Sequence, residues 1–157
     1  MINRLESLRL DIDRLIFKKQ PNHICYFVSH LYGVGRFCTL IAMKRGLDAE
    51  IAATCGMLHD IYQVTAGTTK DHAINGAVVA EKMLKATRQY STEEIKLITT
   101  AISRHSKKKK IHGPYDEVLK DGDVMDHCFH NPVFPILEKE VVRYNNLLRE
   151  FNCNPLK

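Results

Sequence analysis

Apolar residues in this chain recur at steps of three and four along nearly its whole length, a periodicity that suits helices and excludes a sheet of any size. Residues 2 to 19 place Ile2, Leu5, Leu8, Ile12, Leu15 and Ile16 on one stripe with charges between them. After the Gln20-Pro21-Asn22 break, a second helix from about His23 to Arg45 carries Phe27, Val34, Phe37, Cys38 and Ile41 inward until Gly46 stops it. Asp48 caps a third helix through Ile51, Ala52, Cys55 and Leu58 that runs into His59 and Asp60. Residues 64 to 70 read as a loop, Asp71-His72 opens a helix to about Arg88, and Ser91-Thr92-Glu93-Glu94 is a capping box for the next. Pro114 suits the first position of a helix to about Cys128, and a last amphipathic helix is expected from Ile136 to about Phe151. The expectation is an all-α bundle of about six or seven helices.

At 157 residues the chain fits one domain. It divides into an N-terminal amphipathic helix (1–20), a core (21–130) and a C-terminal helix (131–157). Its apolar runs are broken by charge well short of a membrane span, and its first residues show no apolar signal core. Five cysteines without a CxxC pair fit reduced thiols rather than disulfides or thiolate metal sites, so the expected compartment is the cytoplasm. Much of the net charge of +5 is local, in Arg104 and Lys107 to Lys110.

Within the apolar run Cys55-Gly-Met-Leu-His59-Asp60-Ile61, an aspartate is carried toward the interior. A buried carboxylate calls for a cation, a set of donors or a metal. His30, His59, His72 and His105 each sit on an inward face or a helix end of four successive helices, so several imidazoles are available to share a cation with Asp60. Histidine and carboxylate ligands without cysteine suit Fe, Mn, Zn, Co or Ni more than calcium, and allow one or two ions sharing a carboxylate.

The order His30, then His59-Asp60, then Asp123 resembles the HD-domain superfamily of metal-dependent phosphohydrolases over about residues 24 to 130. The segments that carry the resemblance are His30 with Val34 four later, Gly-Met-Leu-His-Asp-Ile, and Leu-Lys-Asp-Gly-Asp-Val-Met-Asp, which is similar to the family's Leu-x-x-Ala-Asp signature. That last alignment selects Asp123 over Asp121 and Asp126. Asp71-His72-Ala-x-x-Gly-Ala and Ala-Ile-x-x-His105-Ser resemble the surroundings of the extra histidines in two-metal members. Two positions depart from the pattern: Gly122 stands for the usual Ala, and Gln63 stands where many relatives carry Lys or Arg.

The resemblance implies one ion on His30, His59, Asp60 and Asp123, with Asp60 bridging to a second on His72 and His105. It makes His59 and Asp60 the catalytic pair. The implied reaction is hydrolysis of a phosphoester or phosphoanhydride in a nucleotide or other small phosphorylated metabolite, with no membrane or nucleic-acid partner expected. Lys107 or Lys108 is the expected phosphate contact. His127 is a candidate partner behind the ligands, Tyr62 and Gln63 are expected near the site, and His112 and His130 at the surface. Two other readings remain open on these residues: a di-iron oxygenase of the same fold, and a non-catalytic nucleotide or nucleic-acid binding module with a structural metal. The basic run favours phosphate over a neutral polyol, and the lack of interleaved aromatics argues against a nucleic-acid stripe.

Overall fold

The computed structural model describes residues 3–154 as eight helices and, among these residues, no strand. They are α1 (Arg4–Lys19), α2 (Ile24–Arg45), α3 (Ala49–Leu58), α4 (Ile61–Ala66), α5 (His72–Thr87), α6 (Thr92–Arg104), α7 (Pro114–His130) and α8 (Val141–Glu150). Ile2 of the expected first stripe lies outside the described residues. Helix starts use local chemistry: Asn3 accepts from the Glu6 amide, Asp48 from the amides of Glu50 and Ile51, and Ser91 and Glu94 form the reciprocal capping box. Gly46 and Gly67 close α2 and α4 at φ 68° and 66°, a left-handed conformation that suits a residue without Cβ.

Two expectations shift. The third helix stops at Leu58, and the six-residue α4 begins directly after Asp60, so the expected loop contracts. The last helix starts at Val141 rather than Ile136. Pro135 biases its predecessor away from helical angles, and a turn closed by the Glu140 amide on the Leu137 carbonyl (2.8 Å) precedes the helix.

Helix α2 is the centre of the bundle, packed most extensively on α3 and α7. By length and composition its 22 residues are apolar enough to cross a membrane, against the expectation of runs too short for one. Here Leu31, Val34, Cys38 and Ile41 are fully buried against neighbouring helices, which makes it a core helix. Close approach depends on glycines. A Cβ on Gly56 would lie 2.7 Å from the Cα of Gly35, backbone against backbone between α3 and α2. A Cβ on Gly122 would lie 2.5 Å from Cys38 Sγ and 3.1 Å from its amide, so Gly122 sets how near α7 comes to α2. Ion pairs fasten the outer helices: Arg4 of α1 to Glu50 and Glu94, and Arg45 of α2 to Asp121 and Glu150.

Replacing Gly56 by Ala should destabilise the fold by about 1–3 kcal/mol through overpacking of the α2–α3 contact. Ser91→Ala, which removes only a cap, should cost about 1 kcal/mol. Urea unfolding measures both; an unchanged midpoint for Gly56→Ala would contradict the packing described.

Candidate metal centre

The residues singled out by sequence arrive from six helices, α2 to α7, and meet in one place. His30 projects from the middle of α2 and Asp123 from the middle of α7, whereas the others stand at helix ends. His59 is the C-cap of α3, Asp60 the N-cap of α4, His72 the first residue of α5 and His105 the C-cap of α6. Asp60 makes no capping bond with its own helix, which leaves its carboxylate to point elsewhere. Asp71, just before His72, adopts φ 51°, a left-handed conformation that Asp tolerates better than most residues.

Each of the four imidazoles has its Nδ1 occupied. His59 donates to the Gly56 carbonyl (2.7 Å), His105 to that of Ile102 (2.7 Å) and His72 to that of Thr69 (2.9 Å), in every case three residues back. His30 donates to Asp126 Oδ2 at 2.8 Å. Donation at Nδ1 leaves the lone pair on Nε2, and all four Nε2 atoms turn toward Asp60. The two oxygens of Asp60 are divided between them. Oδ2 lies 3.6 Å from His30 Nε2 and 3.4 Å from His59 Nε2, while Oδ1 lies 3.5 Å from both His72 and His105 Nε2. Within each pair the Nε2 atoms are 3.2 Å (His30, His59) and 3.1 Å (His72, His105) apart. Asp123 Oδ1 joins the first group at 3.8 Å from His30 and 3.7 Å from His59.

These residues fit metal ions. Metal–ligand bonds of about 2.0–2.2 Å at octahedral to tetrahedral angles place adjacent ligand atoms about 2.8–3.6 Å apart, the range seen within each cluster for all but the longer Asp123 approaches. Asp60 Oδ1 and Asp123 Oδ1 are buried with no hydrogen-bond partner among the described residues, as acceptors facing other lone pairs require a cation between them. Imidazole nitrogen with carboxylate oxygen suits Fe, Mn, Zn, Co or Ni, and thiolates take no part in the clusters.

The electrostatics agree. Burial pushes His59 down to about 4, against the pull of Asp60 and Asp123, so its ring is neutral and can ligate. Burial also lowers His30, but without a metal its bond to Asp126 and the nearby carboxylates of Asp60 and Asp123 outweigh this and carry it up to about 10, a proton then standing where an ion would sit. Asp60 and Asp123 are both held well below the usual carboxylate range: burial opposes this, and it is outweighed by the surrounding imidazoles at Asp60 and by the Lys108 ammonium at Asp123. A pocket that stabilises positive charge this strongly suits a cation.

The two lysines separate. Lys107 is exposed, but Lys108 is buried, and its ammonium donates to Asp123 Oδ2 and to the Lys120 carbonyl (3.4 Å). Arg143 holds the carbonyls of Lys108 (2.7 Å) and Lys110 (3.3 Å), and the fully buried Lys120 donates to the Lys110 carbonyl (2.8 Å), His112 Nδ1 (2.6 Å) and Glu117 (2.7 Å). The basic run is therefore a clamped segment, and His112 is a partner of Lys120 rather than a free surface side chain. His130 is exposed, Tyr62 is half-buried, and Gln63 lines a separate cavity with Tyr26 and Thr69. Asp121 is taken up by Arg45 and Arg143, both at 2.8 Å. Sequence reasoning missed Asp126 as the support of His30. The available signal was Gly33, where any Cβ would run into the Asp126 carboxylate. It also missed Glu140, which bonds His127 Nδ1 at 3.2 Å and which in the sequence is one more charge within the expected last helix.

Comparison with known proteins agrees with this geometry. The HD domain family matches residues 27–129, a span that contains all six clustered side chains. Ribonuclease Y from Lactobacillus gasseri and from Lactobacillus johnsonii are each 37% identical to the chain over 78 residues, and that from Lactobacillus helveticus is 35% identical over the same length. Each match covers 50% of this chain, which spans 13% of the length of these curated relatives. No solved structure matches the chain. On the match over 27–129, the chain belongs to the HD-domain family, whose members are in general metal-dependent phosphohydrolases.

Proposed function

We propose that this protein is a two-ion phosphohydrolase acting on a nucleotide or another small phosphorylated metabolite. The observation that carries the reading is the division of Asp60, one oxygen toward His30 and His59 and the other toward His72 and His105. His30, His59, Asp60 and Asp123 would hold one ion, and Asp60, His72 and His105 the other. Two such ions would supply Lewis acidity, a water activated near neutral pH and neutralisation of charge developing on a phosphoryl group.

The chain's own part is to hold the ligand set rigid and to receive the substrate. The backbone carbonyls behind His59, His72 and His105 fix each tautomer, and Lys108, by engaging Asp123 Oδ2, leaves Oδ1 facing the cluster. His72 is the most open of the four histidines, its side chain 24% exposed against 7% or less for the others, so solvent also reaches the cluster from its side. A cavity of about 660 Å³ adjoins the opposite edge, where His30, Asp126 and His127 meet Tyr26, Phe134 and Leu137. Its size suits the non-phosphate part of a small metabolite. Lys107, exposed and two residues past His105, is the phosphate contact in this reading. Five free cysteines, two of them exposed, favour a reducing compartment and hence the cytoplasm.

A second reading, cleavage of phosphodiester bonds in RNA, is favoured by the similarity to proteins named ribonuclease Y. Metal analysis followed by assay of phosphorylated metabolites and short oligoribonucleotides with Mn, Fe, Co, Ni and Mg separates the two. Metal-loaded protein that hydrolyses neither would refute both, leaving the oxygenase and binding-module readings.

His72→Ala should lose about one metal equivalent and reduce kcat by on the order of 10² or more, while Asp60→Ala should lose both ions. Full metal content and near-native kcat in His72→Ala would remove the second ion. Lys107→Ala should raise KM several-fold with little change in kcat and weaken the salt dependence of kcat/KM, since ions screen an exposed charge. Lys108→Ala should instead change metal affinity with KM little affected, because Asp123 loses the ammonium that fixes its Oδ2 and turns Oδ1 to the cluster. Equal behaviour of the two variants would contradict the separation of their roles.

A further inference from the structure

We propose that His127 is a fifth protein ligand of the ion on His30, His59, Asp60 and Asp123, and that Glu140 is the carboxylate fixing its tautomer; this rests on the two-ion reading above. His127 lies one helical turn beyond Asp123 on α7. Its Nε2 approaches Asp123 Oδ1 at 3.4 Å, closer than either His30 or His59 comes to that oxygen. Ligand atoms of His30, Asp123 and His127 all fall within 4.8 Å of one another. The rings of His30 and His127 are parallel to within 3°, with centroids 5.3 Å apart.

The pattern at His127 repeats that of the other four imidazoles. Nδ1 donates to an acceptor, here Glu140 Oε1 at 3.2 Å, and the Nε2 lone pair turns to the cluster. Asp123 Oδ1 remains without a hydrogen-bond partner despite this approach, so the imidazole does not serve it as a donor. Two acceptors face each other, as they do at Asp60. Glu140 supplies the second observation. It is only 1% exposed, at the start of α8, and its one side-chain bond among the described residues is to His127. Burying a carboxylate to steady a surface histidine is unfavourable, whereas a carboxylate behind a ligating histidine raises its basicity and holds its ring in place. The His127 side chain is 39% exposed and lines the 660 Å³ cavity, so this ligand stands between the ion and the space open to substrate.

Cobalt(II) titration of metal-free wild type, His127→Ala and Glu140→Gln tests the proposal, with visible absorption and chelator competition as readouts and thermal unfolding as a check on folding. Wild type should take up two equivalents. His127→Ala should bind one of them at least about tenfold more weakly, with a changed absorption band because the coordination sphere loses a nitrogen. Glu140→Gln preserves shape and should weaken the same ion by about 10–100-fold. Two equivalents at wild-type affinity with superimposable spectra in both variants would overturn the assignment and leave the two-ion reading intact. Uptake of a single equivalent by wild type would overturn the two-ion reading instead, and a spectrum that still moves in His127→Ala would support the ligand. Wild type that takes up no cobalt would overturn both.

Discussion

A single carboxylate faced from both sides by imidazole lone pairs is the constraint on which this molecule depends. Asp60 is buried, one of its oxygens has no hydrogen-bond partner, and four Nε2 atoms surround it at 3.4–3.6 Å. Such an arrangement is repulsive unless positive charge sits between the groups, so it suits cation binding and by itself opposes stability. The rest of the bundle meets that demand. Six helices must end or cross at the same point, and the glycine contacts that let α2 meet α3 and α7 at backbone distance bring His30, His59 and Asp123 into range.

Helix ends do much of the chemistry. The last carbonyls of a helix have no partner within it, and here those of Gly56 and Ile102 receive Nδ1–H from the histidine three residues on. One local bond therefore satisfies an orphan carbonyl, fixes a tautomer and aims a ligand. His72 does the same from the opposite end, using the Thr69 carbonyl of the turn before α5. His30, in mid-helix where carbonyls are already engaged, takes a side chain instead, Asp126 of α7. A break between α3 and α4 at His59-Asp60 is thus a working part: one continuous helix would have left no free carbonyl there and would have turned the two side chains about 100° apart.

The basic run shows how composition can mislead about place. Four consecutive lysines read as a solvated loop or a phosphate clamp, yet Lys108 is buried on Asp123, and the backbone around it is held by Lys120 and Arg143. These three cations are thereby structural partners of the site's carboxylates and of the carbonyls of the run. Lys107, Lys109 and Lys110 keep the exposure that the run suggested.

Periodicity, caps and the inward placement of His30, His59-Asp60, His72 and His105 were legible in the sequence because they are local: a 3.6-residue repeat, a Ser-x-x-Glu box and a doublet in an apolar run each carry their meaning within a few positions. The helical class follows from that, whereas Asp123 and the grouping of all six side chains were carried by the family resemblance. What surrounds them was decided only by tertiary structure. Asp121, Asp123 and Asp126 lie on one short stretch of α7 with equal local claims, and only the facing surfaces of α2 and α8 send the first to Arg45 and Arg143, the second to the cluster and the third to His30. Lys108 and Glu140 likewise look like ordinary exposed charges until packing removes water from them. A side chain's partner across a bundle is set by helix crossing and burial, which join residues far apart in the chain, and no local pattern records that distance.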